Sequence, residues 1–267
     1  MYRGFDIGTD KVPVAQRRGV PHHLIDVVEP TDAYTAARYV HDAVWAIEQI
    51  YERGQWPILV GGTGLYYRAL VRGLFPGPGA DVNMRSRLET IAQRRGVEFL
   101  HRMLKRVDPD SAVRIQPRDL KRIIRALEVF FLTGTPLTDH FAATKSPLAG
   151  YETVAVALSP PMSLIAARVA KRVDAQFEQG LLDEIRGLLA RGVPETARPF
   201  GGLVYRQALE HLHGVRNETD TRELITRENR HYARRQLIWF RKEPNLVWLH
   251  SSGESPETLT AVETLLA

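Results

Sequence analysis

Two short apolar segments on either side of an amphipathic helix constrain the fold of this chain most. Residues 23–28 and 56–60 are β-branched or apolar runs typical of buried strands. Between them, residues 33–54 carry apolar side chains at helical spacing. Strand, helix and strand in this order form the repeating unit of a parallel sheet. With further strands predicted at residues 153–158 and 246–250, the sequence indicates an α/β fold.

A long region without any predicted strand interrupts this pattern. Residues 75–79 form a loop rich in glycine and proline, and helix signals continue from there to Gly134. Residues 135–150 are polar and are expected to be irregular. We predict an all-helical insertion domain at residues 78–150, within an α/β core domain of residues 1–77 and 151–267. In the core, a long helix is expected after Pro161, with a break at Gly180. A second long helix is expected at residues 218–242.

Composition excludes several classes of protein. The chain has no cysteine, which rules out disulfides and thiolate metal sites. No apolar run reaches the ~18 residues of a membrane helix, and the first residues lack the apolar segment of a signal peptide. We therefore expect a cytoplasmic protein that does not contact membranes. Residues 85–128 carry twelve Lys/Arg against six Asp/Glu, in a chain of net charge +5. Such a block suits a polyanionic partner, although a solvated helix surface explains it equally well.

Two arginines on the helix after Pro161 are candidates for binding phosphate. Arg168 and Arg172 are four residues apart, so both project from one side of the helix. The forked guanidinium donors of arginine match phosphate oxygens. Local ion pairing, for example between Arg172 and Asp174, is the alternative interpretation.

The second long helix has a more distinctive pattern of basic and apolar side chains. A helical wheel predicts a basic face on one side and an apolar face on the other. The basic face suits phosphates, whereas an ordinary amphipathic surface helix explains the apolar face equally well. The basic residues are Arg227, Arg230, His231, Arg234 and Arg241, and the apolar ones are Ile225, Tyr232, Trp239 and Phe240.

Gly61-Gly62-Thr63 follows the predicted strand 56–60, at the end of a strand where open α/β sheets bind ligands. The glycines permit a close approach to the backbone, although strand-to-helix turns use glycine routinely. The chain contains no GxxxxGKS or GxxxxGKT phosphate-binding loop. His22-His23 lack a third ligand at a suitable spacing, so we predict no metal site there.

Six ordered sequence blocks together resemble the tRNA dimethylallyltransferase (isopentenyltransferase) family over nearly the whole chain. They are GFDIGTDK (4–11), PHHLID (21–26), ILVGGTGLYYRAL (58–70), DLKRIIRALEVF (119–130), DAQFEQGLLDEI (174–185) with the preceding Arg168/Arg172 helix, and RRQLIWFRK (234–242).

This resemblance implies a fold similar to the P-loop nucleoside-triphosphatase sheet, with a helical insertion that clamps tRNA. It implies transfer of a dimethylallyl group from dimethylallyl diphosphate to N6 of adenosine 37, in the tRNA anticodon stem-loop, with Mg2+ and with a phosphate-binding loop of the ATP-binding kind. By similarity, Thr63 lies near the target adenine, and Arg172, with Arg168, binds the diphosphate. The implied tRNA contacts are Arg85, Lys121, Arg122, Arg125, Tyr205, Arg206, Arg234, Arg235, Gln236, Trp239 and Arg241. We expect a monomer.

The chain departs from the family pattern at two places. In the family, Tyr2-Arg3-Gly4 follows the general-base aspartate within a few residues. That aspartate ends a second strand, which is preceded by a first strand, the phosphate-binding loop and a helix. We therefore expect an N-terminally truncated, incomplete sheet and impaired activity. Where the family has glycine before Tyr205, this chain has Val204. Two other functions remain open: a different P-loop-fold enzyme that handles phosphates, and a non-catalytic remnant that binds tRNA.

Overall fold

The computed structural model describes residues 1–266 and shows a helix-rich α/β protein with a small parallel sheet. Two short 3-10 helices occur at Val14–Gln16 and Arg198–Gly201. The other elements, in chain order, are α1 (Ala36–Glu52), α2 (Gly64–Arg72), α3 (Val82–Arg95), α4 (Val97–Val107), α5 (Pro109–Arg114), α6 (Leu120–Thr133), α7 (Leu137–Ala142), β1 (Val156–Leu158), α8 (Met162–Glu178), α9 (Leu181–Ala190), α10 (Tyr205–Leu212), α11 (Glu218–Phe240), β2 (Val247–Leu249) and α12 (Pro256–Leu266).

Side-chain caps determine where several of these helices begin. An oxygen of the capping residue accepts a hydrogen bond from a backbone N–H of the first turn, which otherwise has no partner in the helix. The caps are Thr35 for α1, Asp81 for α3, Asp108 for α5, Asp119 for α6 and Asn217 for α11.

The sheet is smaller than the sequence predicts. Strands β1 and β2 are parallel and pair Val156 with Val247, so the strands predicted at 153–158 and 246–250 are confirmed over shorter ranges. Of the predicted strand 23–28, only Val28 forms a bridge, with Tyr2. The prediction of a strand at 56–60 is wrong: the segment is irregular and donates no backbone hydrogen bond to the described residues. A strand needs a neighbour to pair with, and among the described residues this segment forms no strand pair or bridge.

The helix predictions agree better with the structure. The helix predicted at 33–54 is α1, the helix at 218–242 is α11, and the long helix after Pro161 forms α8 and α9. Gly180 separates the last two in a left-handed conformation, with φ 92°. Residues 135–150 were expected to be irregular, but they contain α7. The sequence interpretation did not include α10 or α12.

The chain folds into two compact units, residues 1–67 with 151–267, and residues 68–150. The core of the first unit contains Phe5, Leu181, Phe200 and Ile225, and other apolar side chains. The second unit is helical and packs Leu100, Leu104, Ile123 and Leu127 of α4 and α6 into its own core. Among residues 1–266, no helix is both long and apolar enough to cross a membrane.

Candidate anion and RNA site

A small polar cavity in the first unit lies beside Arg172. Its volume is about 100 Å³, enough for several water molecules. Thr9 and Asp10 line it from the first sequence block, Arg172 and Gln176 from α8, and Asn229 from α11. A cavity of this size with an arginine at its wall suits a small anionic group.

Arg172 forms an ion pair at this cavity. Its Nε lies 2.6 Å from Oδ2 of Asp10, and both side chains are partly exposed. The other carboxylate oxygen of Asp10 accepts a hydrogen bond from Nε2 of Gln176 at 3.0 Å. Gln176 is 3% exposed, and its Oε1 is buried without a hydrogen-bond partner among the described residues. The predicted partner Asp174 pairs instead with Arg222, at 3.2 Å.

Two side chains, the half-buried Glu184 and the buried Tyr205, hold the first sequence block in place. Glu184 accepts hydrogen bonds from the backbone N–H of Asp6 and Ile7, at 2.9 and 2.8 Å. Tyr205 donates its hydroxyl hydrogen to Glu184 at 2.6 Å and accepts a bond from the N–H of Gly8 at 3.0 Å. A Cβ at Gly8 would lie 2.6 Å from the Tyr205 ring, so only glycine permits this approach. Burial, followed by the Glu184 carboxylate, raises the pKa of Tyr205.

Tyr205 was predicted as a tRNA contact, and the structure gives its side chain a place in the core. The ring is 2% exposed and packs edge-on against Phe5, with the centroids 4.8 Å apart. Arg206, which follows it, is exposed. Val204, where the resembling family has glycine, has φ 75° and ψ −63° and lines the cavity. These dihedral angles are strained for a β-branched residue. The Tyr205 contact with tRNA stays a prediction.

The Gly61-Gly62-Thr63 turn contacts the C-terminal half of α11. Nε2 of Gln236 donates a hydrogen bond to the Gly62 carbonyl at 2.9 Å. A Cβ at Gly64 would lie 2.4 Å from the Trp239 ring, so the glycine admits the indole. Thr63 is exposed and caps α2 through its carbonyl, which accepts from the N–H of Tyr66 at 3.0 Å. Two separate sequence predictions, the glycine turn and the RRQLIWFRK block, thus meet at one place.

Helix α11 exposes its basic face, as predicted. Arg227, Arg230, His231, Arg234 and Arg241 are all exposed, and so is Arg235.

The apolar face of α11 is only partly buried. Ile225 is buried, and Trp239 and Phe240 are half-buried. Tyr232, which the helical wheel places on the apolar face, is 37% exposed and lies beside Arg235, whose Cζ is 5.8 Å from the ring centroid. The helix therefore presents its charged side to solvent.

The second unit holds two of its predicted RNA-contacting arginines on one buried carboxylate. Oε1 of Glu128 accepts from Nε of Arg85, and Oε2 accepts from Nη1 of Arg125, at 2.8 and 2.7 Å. Glu128 is 0% exposed. Burial acts to raise its pKa, but the bonds from Arg85 and then Arg125 outweigh burial and lower the pKa to about 2. The other two predicted contacts, Lys121 and Arg122, are exposed on α6.

Arg168, the second candidate for diphosphate, pairs with Glu254, whose Oε2 lies 2.7 Å from its Nη2. The sequence interpretation missed Asp10, Gln176, Asn229, Glu184 and Glu128. The one available signal was that several of them fall inside the ordered blocks. Within residues 1–266, no group of three His, Asp or Glu side chains could hold a metal ion.

Comparison with known proteins identifies the family. Residues 1–243 match the family model described as IPP transferase. The tRNA dimethylallyltransferase of Solibacter usitatus is 44% identical over 257 residues, which are 96% of this chain and 83% of that protein. The crystal structure of the full-length tRNA isopentenylpyrophosphate transferase of Bacillus halodurans is similar with a TM-score of 0.69 and 33% identity, over 99% of this chain and 83% of that one. A structure of a eukaryotic dimethylallyltransferase acting on tRNA has a TM-score of 0.77 and 25% identity, over 98% of this chain and 67% of that one. The chain therefore belongs to the IPP transferase family, a family of prenyltransferase enzymes.

Proposed function

We propose that this chain is a tRNA dimethylallyltransferase that transfers the dimethylallyl group of dimethylallyl diphosphate to N6 of adenosine 37 in the anticodon loop. Membership of the IPP transferase family supports this proposal. The observation that carries it is Arg172, an arginine beside a small polar cavity at the position that matches the family's diphosphate ligand.

The reaction needs stabilisation of a leaving anion. The adenine N6 forms a bond to C1 of the dimethylallyl group while the C1–O bond breaks, the diphosphate leaves with the electron pair, and an N6 proton passes to a base. Negative charge therefore grows on the diphosphate, where a fixed guanidinium such as that of Arg172 lowers the barrier. We propose that Arg168, on the same side of α8, contacts the same anion.

The tRNA is proposed to bind at three places. Arg206 and the exposed basic face of α11 would contact phosphates, because both are charged and accessible. In the second unit, Arg85, Lys121, Arg122 and Arg125 would do the same. Thr63, with an exposed hydroxyl in the turn that contacts Gln236 and Trp239, is proposed to face the target adenine.

Mg2+ and a P-loop-like, nucleotide-binding sheet belong to the same proposal, which rests for them on the family resemblance. Among the described residues, no group of three His, Asp or Glu side chains could hold the metal ion.

A prenyl-transfer assay tests the proposed function. Purified protein, labelled dimethylallyl diphosphate and an anticodon stem-loop RNA are incubated, and the RNA is digested to nucleosides. We expect label on the adenosine at position 37, none on an RNA with guanosine there, and a loss of rate for Arg172→Gln.

Each failure of the assay has a distinct meaning. If the protein binds the RNA but does not transfer the group, the chain is a non-catalytic tRNA-binding remnant. If it does not bind RNA at low or high salt, a different phosphate-handling enzyme is the better interpretation. Size-exclusion chromatography of the same preparations tests the expected monomer.

A further inference from the structure

Both arginines proposed to bind the diphosphate are already paired with a carboxylate from a distant part of the first unit. Arg172 pairs with Asp10 of the first sequence block at 2.6 Å. Arg168, one helical turn earlier, pairs with Glu254 at 2.7 Å. An anion that approaches this side of α8 therefore meets arginines whose charge is partly neutralised.

The carboxylate of Asp10 is held in place independently of Arg172. Gln176 is buried and donates from Nε2 to Oδ1 of Asp10, at 3.0 Å, and to the Ile7 carbonyl, at 3.2 Å. Asp10 also has a left-handed backbone, with φ 50°, which is uncommon for a residue other than glycine. Such a conformation persists only where the surrounding structure maintains it. The negative charge beside Arg172 is thus fixed by the fold.

We propose that Asp10 is the resident counter-ion of Arg172 and that it sets the affinity of this site for diphosphate. This inference rests on the proposed function, because it takes diphosphate as the ligand of Arg172. An incoming anion must either displace Asp10 from the guanidinium or share the guanidinium with it. Because Gln176 holds the Asp10 carboxylate in place, that carboxylate also repels the anion. The pair therefore weakens binding of the anion and speeds release of free diphosphate after the transfer.

The size of the effect follows from the exposure of the pair. The side chains of Arg172 and Asp10 are 61% and 40% exposed, so the pair is a surface ion pair screened by water. Exposed pairs of this kind change an equilibrium by about twofold to fivefold. Repulsion between the carboxylate and a multiply charged anion adds to this. We expect removal of the charge to tighten binding by about threefold to tenfold.

Titration calorimetry with inorganic diphosphate, in buffer without divalent metal, measures this affinity on the full chain. Asp10→Asn removes the charge and keeps the shape, and asparagine tolerates the left-handed backbone. Asp183→Asn is the matched control, since Asp183 pairs with Arg186 on another helix and its variant has the same net charge. We expect tighter binding by Asp10→Asn, no change for Asp183→Asn, and a smaller difference at ~1 M salt, where the Debye length is about 3 Å.

The variants also separate this inference from the proposed function. Arg172→Gln should weaken binding, and Asp10→Asn should have no further effect in that background. If Arg172→Gln leaves the affinity unchanged, Arg172 is not the diphosphate ligand and both proposals fail. If Arg172→Gln weakens binding but Asp10→Asn does the same, Asp10 orients the arginine, and the counter-ion proposal alone is overturned. Circular dichroism of each variant confirms that it is folded.

Discussion

The buried carboxylate of Glu128 leads to a sharp test of how the second unit is stabilised. Its two oxygens accept four hydrogen bonds, from Nε and Nη2 of Arg85, Nη1 of Arg125 and the backbone N–H of Asp81, all between 2.7 and 2.9 Å. Glu128→Gln removes the charge and turns an amide NH2 group toward guanidinium donors. The variant leaves donors facing donors at a position that is itself 0% exposed, which destabilises the fold.

The pKa of Glu128 gives the magnitude. It falls from 4.5 to about 2, which corresponds to ~3 kcal/mol. The side chains of Arg85 and Arg125 are 40% and 32% exposed, so solvent screening reduces this figure. We expect Glu128→Gln to lower the free energy of unfolding of the second unit by about 2–3 kcal/mol at pH 7.

The sign of the pH dependence follows from the same pKa. A carboxyl whose pKa is lower in the folded state stabilises the protein fully above its unfolded value, and this stabilisation is lost as the pH falls toward the folded value. For Glu128 the window lies between 4.5 and about 2. The difference between wild type and Glu128→Gln should therefore be constant from pH 7 to 6 and should shrink below pH 4.5.

The suitable assay is hydrogen exchange, measured by mass spectrometry on peptides of α3 and α6. Tryptophan fluorescence does not report on this unit, because all four tryptophans lie outside residues 68–150. Glu98→Gln is the control: Glu98 is 62% exposed, with Arg118 at 3.6 Å, and its loss should change stability by less than about 1 kcal/mol. A change no larger for Glu128→Gln than for the control, or one independent of pH, would refute the reasoning.

Three further predictions concern the first unit. Tyr205→Phe removes the hydroxyl that is hydrogen-bonded to Glu184 and should lower the free energy of unfolding by about 1–3 kcal/mol. Thermal or urea unfolding measures this, and an unchanged transition would contradict a stabilising role of that hydrogen bond. Val204 has φ 75°, and glycine at this position relieves about 1–3 kcal/mol of backbone strain. The Val204→Gly variant should therefore be more stable than Val204→Ala, although at an ordinary buried site the alanine variant is the more stable one. Ile58 is 84% exposed in an apolar segment without a strand partner, so we expect it to promote association between protein molecules. Ile58→Lys should therefore reduce light scattering at high protein concentration without shifting thermal unfolding. Equal scattering by the variant would show that the segment is not responsible.

The helices could be predicted from the sequence because their determinants are local. Apolar spacing, the break at Gly180 and a cap such as Asn217 act within one or two turns of the chain. The sheet could not be predicted so well, because strand pairing depends on a neighbour that the local pattern does not specify. Residues 56–60 have strand-like composition, yet Ile58 and Val60 are 84% and 89% exposed. Composition alone cannot distinguish a paired strand from an unpaired one.

The candidate site divides in the same way. Arg172 and the glycine turn could be found because helical spacing and glycine runs are visible in one stretch of sequence. The partners of these residues could not be found in this way, because they are distant in sequence. The side chain of Gln176, for example, donates a hydrogen bond to Asp10, 166 positions away. Asp10 is one loop residue among several acidic ones. Only the folded chain shows that its charge faces the arginine.

Helix α11 has its exposed basic face and its cavity-lining residues on different sides. Asn229 lies at the Arg172 cavity and Gln236 at the glycine turn, seven residues further on. Seven residues are about two turns, so both side chains project from one side of the helix, ~10 Å apart along its axis. At ~100° per residue, Arg227, Arg234 and Arg241 lie more than ~100° away from that side, and all three are exposed. The basic face therefore points away from the cavity, and phosphates bound to it, as proposed, would not compete for Arg172. One helix can thus contact a nucleic acid on its outer side while its inner side lines the small polar cavity and positions the turn.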